Sequence, residues 1–317
     1  MSKVLFSVPI KGNQLEDFKR EFPQVEFLVE DGEGTRRDGL AEAEVWAAYG
    51  FDIKEEDIER AGKLKWIMVY TAGVDALPAK PILERDILVT NVRGIHGPSI
   101  SEQVFAYLLS HVRLLEELQR QKKKGEWNNR VRPGILFGKT IGIIGAGAIG
   151  REIARKAKAF DMKVLGVRKS GAPTQYVDEM VTMEGLHQVL AQSDFVVMAL
   201  PSTPETRHIM DAKAFHTMKE SAYFVNIARG DVVDTHAMVE ALREKRIAGA
   251  ALDVFEEEPL PKDHPLRQMD NVLMTPHTAG LFPGYIYRAN DVFQRNLRVY
   301  VDGIGEMVNV VDLGRGY

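Results

Sequence analysis

Short apolar runs alternate with longer segments of helical periodicity along almost the whole chain. That alternation is the mark of parallel sheets whose faces are covered by helices. Residues 3–8, 25–29, 45–49, 64–70 and 87–90 read as a first series of strands, separated by polar helical stretches such as 13–21 and 54–62. A second series follows at 140–144, 163–167, 195–199, 223–227, 249–253 and 272–275. Between the two series, Val104, Leu108, Leu109, Val112, Leu115 and Leu118 recur at three-and-four spacing. This predicts one long amphipathic helix over 98–124 that links two domains. After Pro276 the chain passes Gly280, Pro283 and Gly284 into a final helical segment at 289–301, long enough to return to the first domain. The expected division is therefore 98–281 for one domain and 1–97 with 282–317 for the other.

Composition narrows the function classes. At 317 residues, two domains of ordinary size are expected rather than one core. Lys and Arg total 41 against 45 for Asp and Glu. Such a balance argues against a nucleic-acid partner, which usually leaves a strongly basic domain. The absence of cysteine removes disulfides, thiol nucleophiles and Cys-zinc sites together, suits a reducing interior and makes the cytoplasm the expected compartment. No apolar run approaches the roughly 18 residues of a membrane span, and the N-terminal apolar run is too short for a signal peptide, so a soluble protein is expected.

The first chemical signal is Gly145-Ala146-Gly147-Ala148-Ile149-Gly150, set between the strand at 140–144 and a helix-forming run that begins at Arg151. In this context Gly145 allows the tight turn, Gly147 lets backbone approach a pyrophosphate, and Gly150 permits close packing of helix on strand. The helix N-terminus then offers free N–H groups and a partial positive charge. A dinucleotide-binding domain follows. In this fold the residue ending the second strand meets the adenosine ribose, and an acid there selects NAD by accepting hydrogen bonds from the 2′-OH. Here that place, 18 residues beyond Gly150, is taken by Arg168, followed by Lys169 and Ser170. An arginine fork, an ammonium and a hydroxyl suit the 2′-phosphate of NADP, so NADP is the expected cofactor, with NAD as the alternative.

Four further motifs lie in register: Leu200-Pro201-Ser202-Thr203-Pro204-Glu205-Thr206, the run from Asn226-Ile227-Ala228-Arg229 to Asp234, the run from Ala251-Leu252-Asp253 to Leu260, and Thr275-Pro276-His277-Thr278-Ala279-Gly280. With Ala72-Gly73-Val74-Asp75 and Ser101-Glu102, they resemble the signatures of the D-2-hydroxyacid dehydrogenase family over nearly the whole chain. The resemblance implies a Rossmann cofactor domain inserted in a flavodoxin-like substrate domain, and a homodimer with Trp127 in the dimerising segment. It also implies catalytic roles for Arg229, Glu258 and His277. The residues themselves suit that chemistry. Reducing a 2-keto acid requires a hydride donor, a proton donor for the carbonyl oxygen and a cation for the carboxylate; imidazole beside a carboxylate supplies the second and a guanidinium the third. The resemblance further assigns the substrate carboxylate to backbone around Ala72, Gly73 and Val74, and the nicotinamide carboxamide to Asp253. It extends the cofactor contacts to Pro201, Ser202, Thr206, Ile227, Ala228, His277 and Ala279.

Within the family, Glu258 argues against formate dehydrogenases, which carry Gln there, and no basic cluster marks a pocket for a phosphorylated substrate. A small 2-keto acid such as glyoxylate or hydroxypyruvate is the expected substrate. The same fold also serves dinucleotide-sensing corepressors, so a binding protein with little turnover is the alternative. His96 carries no assigned role, Arg93 leaves a phosphorylated substrate open, and the acidic run Glu256-Glu257-Glu258 has a plain alternative as a stretch that faces water.

Overall fold

The computed structural model describes residues 1–30 and 39–314. The chain divides into two compact units, one of Met1–Ile95 with Phe282–Tyr317 and one of His96–Leu281.

In the first unit, β1 (Ser2–Phe6), β2 (Val25–Val29), β3 (Val45–Ala48), β4 (Trp66–Val69) and β5 (Leu88–Asn91) form an all-parallel sheet in the order β2-β1-β3-β4-β5. This is the flavodoxin-like order. Its central strands are buried on both faces, which is why they read as unbroken apolar runs rather than alternating ones. The indoles of Trp46 and Trp66 are fully buried, and each N–H finds a hydroxyl, Ser7 Oγ at 2.7 Å and Thr90 Oγ1 at 2.8 Å. The helix Tyr285–Asp302 completes the unit. It starts after Gly284 (φ 86°) and stops at Gly303 (φ 66°), left-handed positions where glycine carries no Cβ penalty. Its Phe293 is fully buried, 5.3 Å from the rings of both Phe6 and Trp66 and 5.6 Å from that of Phe18.

The second unit holds β6 (Thr140–Ile144), β7 (Lys163–Val167), β8 (Glu179–Val181), β9 (Phe195–Met198), β10 (Tyr223–Asn226), β11 (Gly249–Leu252) and β12 (Val272–Met274). They form a parallel sheet in the order β12-β11-β10-β9-β6-β7-β8, a Rossmann order with a seventh strand added. Strand order reverses between β6 and β9, and in open parallel sheets the crevice at such a point binds ligands. One hydrophobic cluster covers each face of this sheet. The helix Gly97–Val112 belongs to one of them through Val104, Phe105 and Leu108.

Two sequence expectations change. The single helix over 98–124 is two helices, Gly97–Val112 and Leu115–Lys123, broken at Leu114 with φ 56°. The three-and-four spacing runs on through Leu115 and Leu118, so periodicity alone conceals a break made by one left-handed residue. The first of these helices also lies entirely within the second unit. The strand β8 went unread, since three residues with an exposed Glu179 carry too little apolar signal. Among the described residues, no helix is long and apolar enough to cross a membrane.

Phe293→Ala removes the ring around which the first unit's aromatic cluster packs. It is expected to destabilise that unit by about 3–5 kcal/mol, read as a lower urea midpoint with unchanged m-value; a loss below about 1 kcal/mol would show that the cluster does not depend on this ring.

Candidate active site

In a parallel sheet every strand ends on the same side, so the loops after β6, β7, β9, β10, β11 and β12 share one rim of the second unit. All the sequence-predicted residues of this unit lie on those loops or at the adjoining strand and helix ends.

The glycine loop follows β6. Gly145 has φ 105°, and a Cβ there would lie 2.5 Å from the backbone carbonyl of Ala199. A Cβ at Gly150 would meet the carbonyl oxygen of Gly145 at 2.4 Å, so the helix Ala148–Ala159 could not begin so close to its strand with any other residue. At Gly147, by contrast, an added Cβ meets nothing within 4 Å. The loop thus presents an open backbone face beside a helix N-terminus whose first N–H groups lack intrahelical acceptors. That donor set fits a pyrophosphate. The end of β7 is tied to the same loop, because Val167 O accepts from Gly145 N (2.9 Å) and Ala146 N (3.0 Å). The next residues, Arg168 to Gly171, form a turn closed by Gly171 N donating to Arg168 O at 3.0 Å. Arg168 is half-buried, Lys169 and Ser170 are exposed, and among the described residues neither cation forms an ion pair. After β9, Thr206 Oγ1 holds the loop in shape by donating to Pro201 O (2.7 Å) and accepting from Thr203 N (2.8 Å).

On the other side of the switch point, β10, β11 and β12 are neighbours in register. Asn226, 1 % exposed, clips the turn that carries Arg229: its Oδ1 accepts from Ala228 N at 3.0 Å and its Nδ2 donates to Arg229 O at 2.9 Å. A Cβ on Gly230 would fall 1.9 Å from the carbonyl carbon of Phe255, so the Arg229 turn presses directly on the loop after β11. In that loop Glu258 Oε1 accepts from Phe255 N at 2.9 Å. Its Oε2 lies 2.8 Å from His277 Nδ1. The carboxylate holds the imidazole by Nδ1 and leaves Nε2 as the ring nitrogen outside that contact. A recess of about 570 Å³, walled by Phe255, Pro259, Leu260, Met274 and Pro276, opens beside the pair.

His277 has φ 53°, in the left-handed region that is uncommon for residues other than glycine. Asp253 secures that turn. Its backbone oxygen accepts from His277 N (2.8 Å), Oδ1 from Thr278 N (2.9 Å) and Thr275 Oγ1 (2.5 Å), and Oδ2 from Ala279 N (2.9 Å). At 2 % exposure, with three donors from its own unit, the carboxylate is engaged in shaping the loop. Ile227, Ala228 and Ala279 are buried among these loops, at 7 %, 5 % and 3 % exposure.

A second pair escaped the sequence reading. Glu256 Oε1 lies 2.8 Å from His208 Nε2. Asp231 O accepts from His208 N (2.8 Å), and Asp231 Oδ2 accepts from Ser202 Oγ (2.6 Å). The loop after β9 is thereby tied to those after β10 and β11. Forty-eight residues separate the two partners, so no local motif could announce them. His96, at the start of the helix Gly97–Val112, is 6 % exposed. Burial, and secondarily the Arg229 charge, push its pKa down to about 4.

In the first unit, the loop after β4 carries Ala72, Gly73 and Val74. Asn91 Nδ2 donates to Ala72 O and Thr71 Oγ1 to Gly73 O, both at 2.8 Å. These contacts hold the carbonyls, while among the described residues the N–H groups of Ala72, Gly73 and Val74 meet no acceptor.

Residues 105–279 match the family described as D-isomer specific 2-hydroxyacid dehydrogenase, NAD binding domain. Similar proteins include a D-3-phosphoglycerate dehydrogenase of Methanocaldococcus jannaschii, 38% identical over 233 residues, and a glyoxylate reductase of Korarchaeum cryptofilum, 36% identical over 259 residues. The first alignment covers 72% of this chain and 44% of the relative, so the chain spans less than half of that protein; the second covers 79% and 77%. A solved D-isomer specific 2-hydroxyacid dehydrogenase from Xanthobacter autotrophicus Py2, in complex with NADPH and MES, is 30% identical with a TM-score of 0.84, covering 100% of this chain and 99% of that one.

The buried His96 sets a pH response. Its folded-state pKa, about 4, lies below the ordinary histidine value of 6.5, so between these values the unfolded chain binds the proton and the folded one does not. The associated stability is complete above about pH 6.5 and is lost as pH falls toward 4, by up to about 3 kcal/mol. Urea midpoints compared between parent and His96→Asn should show the parent losing more stability over that window; parallel losses would overturn the assignment.

Proposed function

Because the chain belongs to the D-isomer specific 2-hydroxyacid dehydrogenase family, whose members are oxidoreductases working with a nicotinamide dinucleotide, we propose that it reduces a small 2-keto acid to the corresponding D-2-hydroxy acid. The observation that carries this reading is the His277–Glu258 pair at 2.8 Å, with Arg229 on the adjoining loop. The dinucleotide, when bound, supplies or removes the hydride at the substrate carbon. His277 Nε2 donates the proton that the carbonyl oxygen gains, and takes it back in the oxidation direction. Glu258 keeps Nδ1 protonated and the ring oriented. Arg229 grips the substrate carboxylate and polarises the adjacent carbonyl, stabilising charge as it develops on the oxygen. The open N–H groups of Ala72, Gly73 and Val74 are assigned to binding a substrate carboxylate. Asp253, alongside its loop contacts, is assigned to the nicotinamide carboxamide.

Glyoxylate and hydroxypyruvate are the proposed substrates, consistent with a relative named glyoxylate reductase. NADP is the proposed cofactor. Arg168, Lys169 and Ser170 stand one residue past a strand end that is hydrogen-bonded to the glycine loop, where a 2′-phosphate would meet two cations without ion-pair partners among the described residues. Pro201, Ser202 and Thr206 line the cofactor side, with Ile227, Ala228 and Ala279 beneath. We also assign the protein to a homodimer, supported by Trp127 at 96 % exposure with Ile135 and Phe137 exposed nearby in sequence, and to the cytoplasm, in keeping with its lack of cysteine.

Purified protein should oxidise NADPH when given glyoxylate or hydroxypyruvate, and His277→Gln should lower kcat by about 10²–10⁴-fold. Dinucleotide binding without turnover across a broad keto-acid panel would favour a sensing role instead. Replacing Arg168 and Lys169 together by uncharged residues should raise KM for NADPH by about tenfold or more while leaving KM for NADH nearly unchanged. Equal effects on the two cofactors, or a parent enzyme that prefers NADH, would defeat the NADP assignment.

A further inference from the structure

Tyr107 lies on the inward side of the helix Gly97–Val112, 1 % exposed, in the second unit. Its hydroxyl is 2.5 Å from Thr275 Oγ1. The Thr275 hydroxyl has a single proton, and that proton goes to Asp253 Oδ1, also at 2.5 Å. Thr275 is therefore an acceptor toward Tyr107, and the phenol must donate. The order is set: Tyr107 donates to Thr275, Thr275 donates to Asp253, and Asp253 receives Thr278 N and Ala279 N on its carboxylate and His277 N on its backbone oxygen.

We propose that Tyr107 is a positioning residue for His277, acting through Thr275 and Asp253. The inference rests on the role of His277 proposed above. The physical need is visible in the backbone. A histidine at φ 53° stays there only if its surroundings over-determine the turn, and Asp253 alone reaches the turn at three residues. A carboxylate carrying three such bonds has its oxygens aimed by whichever donor is itself anchored. Of its side-chain and backbone donors, Thr275 is the one fixed from outside the loop, and its anchor is the buried phenol. Hydrogen bonds in a dry chain also polarise one another, so removing the first donor weakens those that follow.

Tyr107→Phe keeps the ring in its cavity and removes only the donor. In the intact protein its kcat with the best keto acid should fall about five- to tenfold. The ¹⁵N spectrum of the His277 imidazole, recorded without substrate, should change from a single Nδ1–H tautomer in the parent to a mixture. Thr275→Val should do the same, Thr275→Ser should return the signal toward the parent, and the double variant Tyr107→Phe/Thr275→Val should be no worse than the more severe single one. A parent-like His277 spectrum in Tyr107→Phe, or additive losses in the double variant, would overturn the proposal. Because the tautomer readout needs no substrate, absence of turnover in the parent would sink the reductase reading while leaving this one still decidable.

Discussion

Parallel pairing of β10, β11 and β12 brings three loops from distant parts of the sequence to one rim, and the chemistry of the second unit depends on that pairing. Arg229, Glu258 and His277 are far apart along the chain, and none is near another by local structure. The register of Asn226 with Leu252 and of Leu252 with Met274 ends the three strands level, so their loops emerge level. The strands are too short to tolerate slippage: a shift of one residue would turn every buried side chain to the opposite face. Gly230 then removes the last obstacle, the volume of one methyl group, between the arginine turn and the loop of Glu258.

The opposite half of the rim follows the same logic with different groups. Where the proposed reacting side has charged side chains held by carboxylates and amides, the proposed cofactor side has bare backbone. An open face at Gly147, a helix N-terminus and a strand end hydrogen-bonded into the same turn need almost no side-chain chemistry to receive phosphates. In the proposed reading, selectivity falls to Arg168, Lys169 and Ser170 just beyond β7. The His208–Glu256 pair and the Ser202–Asp231 bond connect the halves, so the loop along the dinucleotide and the loop of the acid–base pair are braced against each other.

What was legible from sequence was whatever depends on short spacing. The glycines of the phosphate loop, the strand that follows on schedule and the Arg, Glu and His motifs all occupy fixed local patterns, and each stands at the rim. The unread features are those that depend on contacts remote in sequence. Asp253 is legible as a strand-end acid, but its three loop bonds become visible only when the segment after β12 folds back to it. Glu256 looks like one charge of an acidic run until the loop after β9 brings His208 beside it. Tyr107 reads as one more large side chain on an amphipathic helix. The break at Leu114 was hidden because one left-handed residue leaves the apolar spacing intact on both sides.

The left-handed backbone at His277 places local stability and chemistry in opposition. A side chain at φ 53° is disfavoured by roughly 1–3 kcal/mol, a penalty that glycine would not carry. A copy of this chain released from turnover would therefore shed that strain by exchanging this histidine for glycine. The residue proposed for acid–base chemistry is thus held against a local backbone preference, and the bonds from Asp253 are what hold it there.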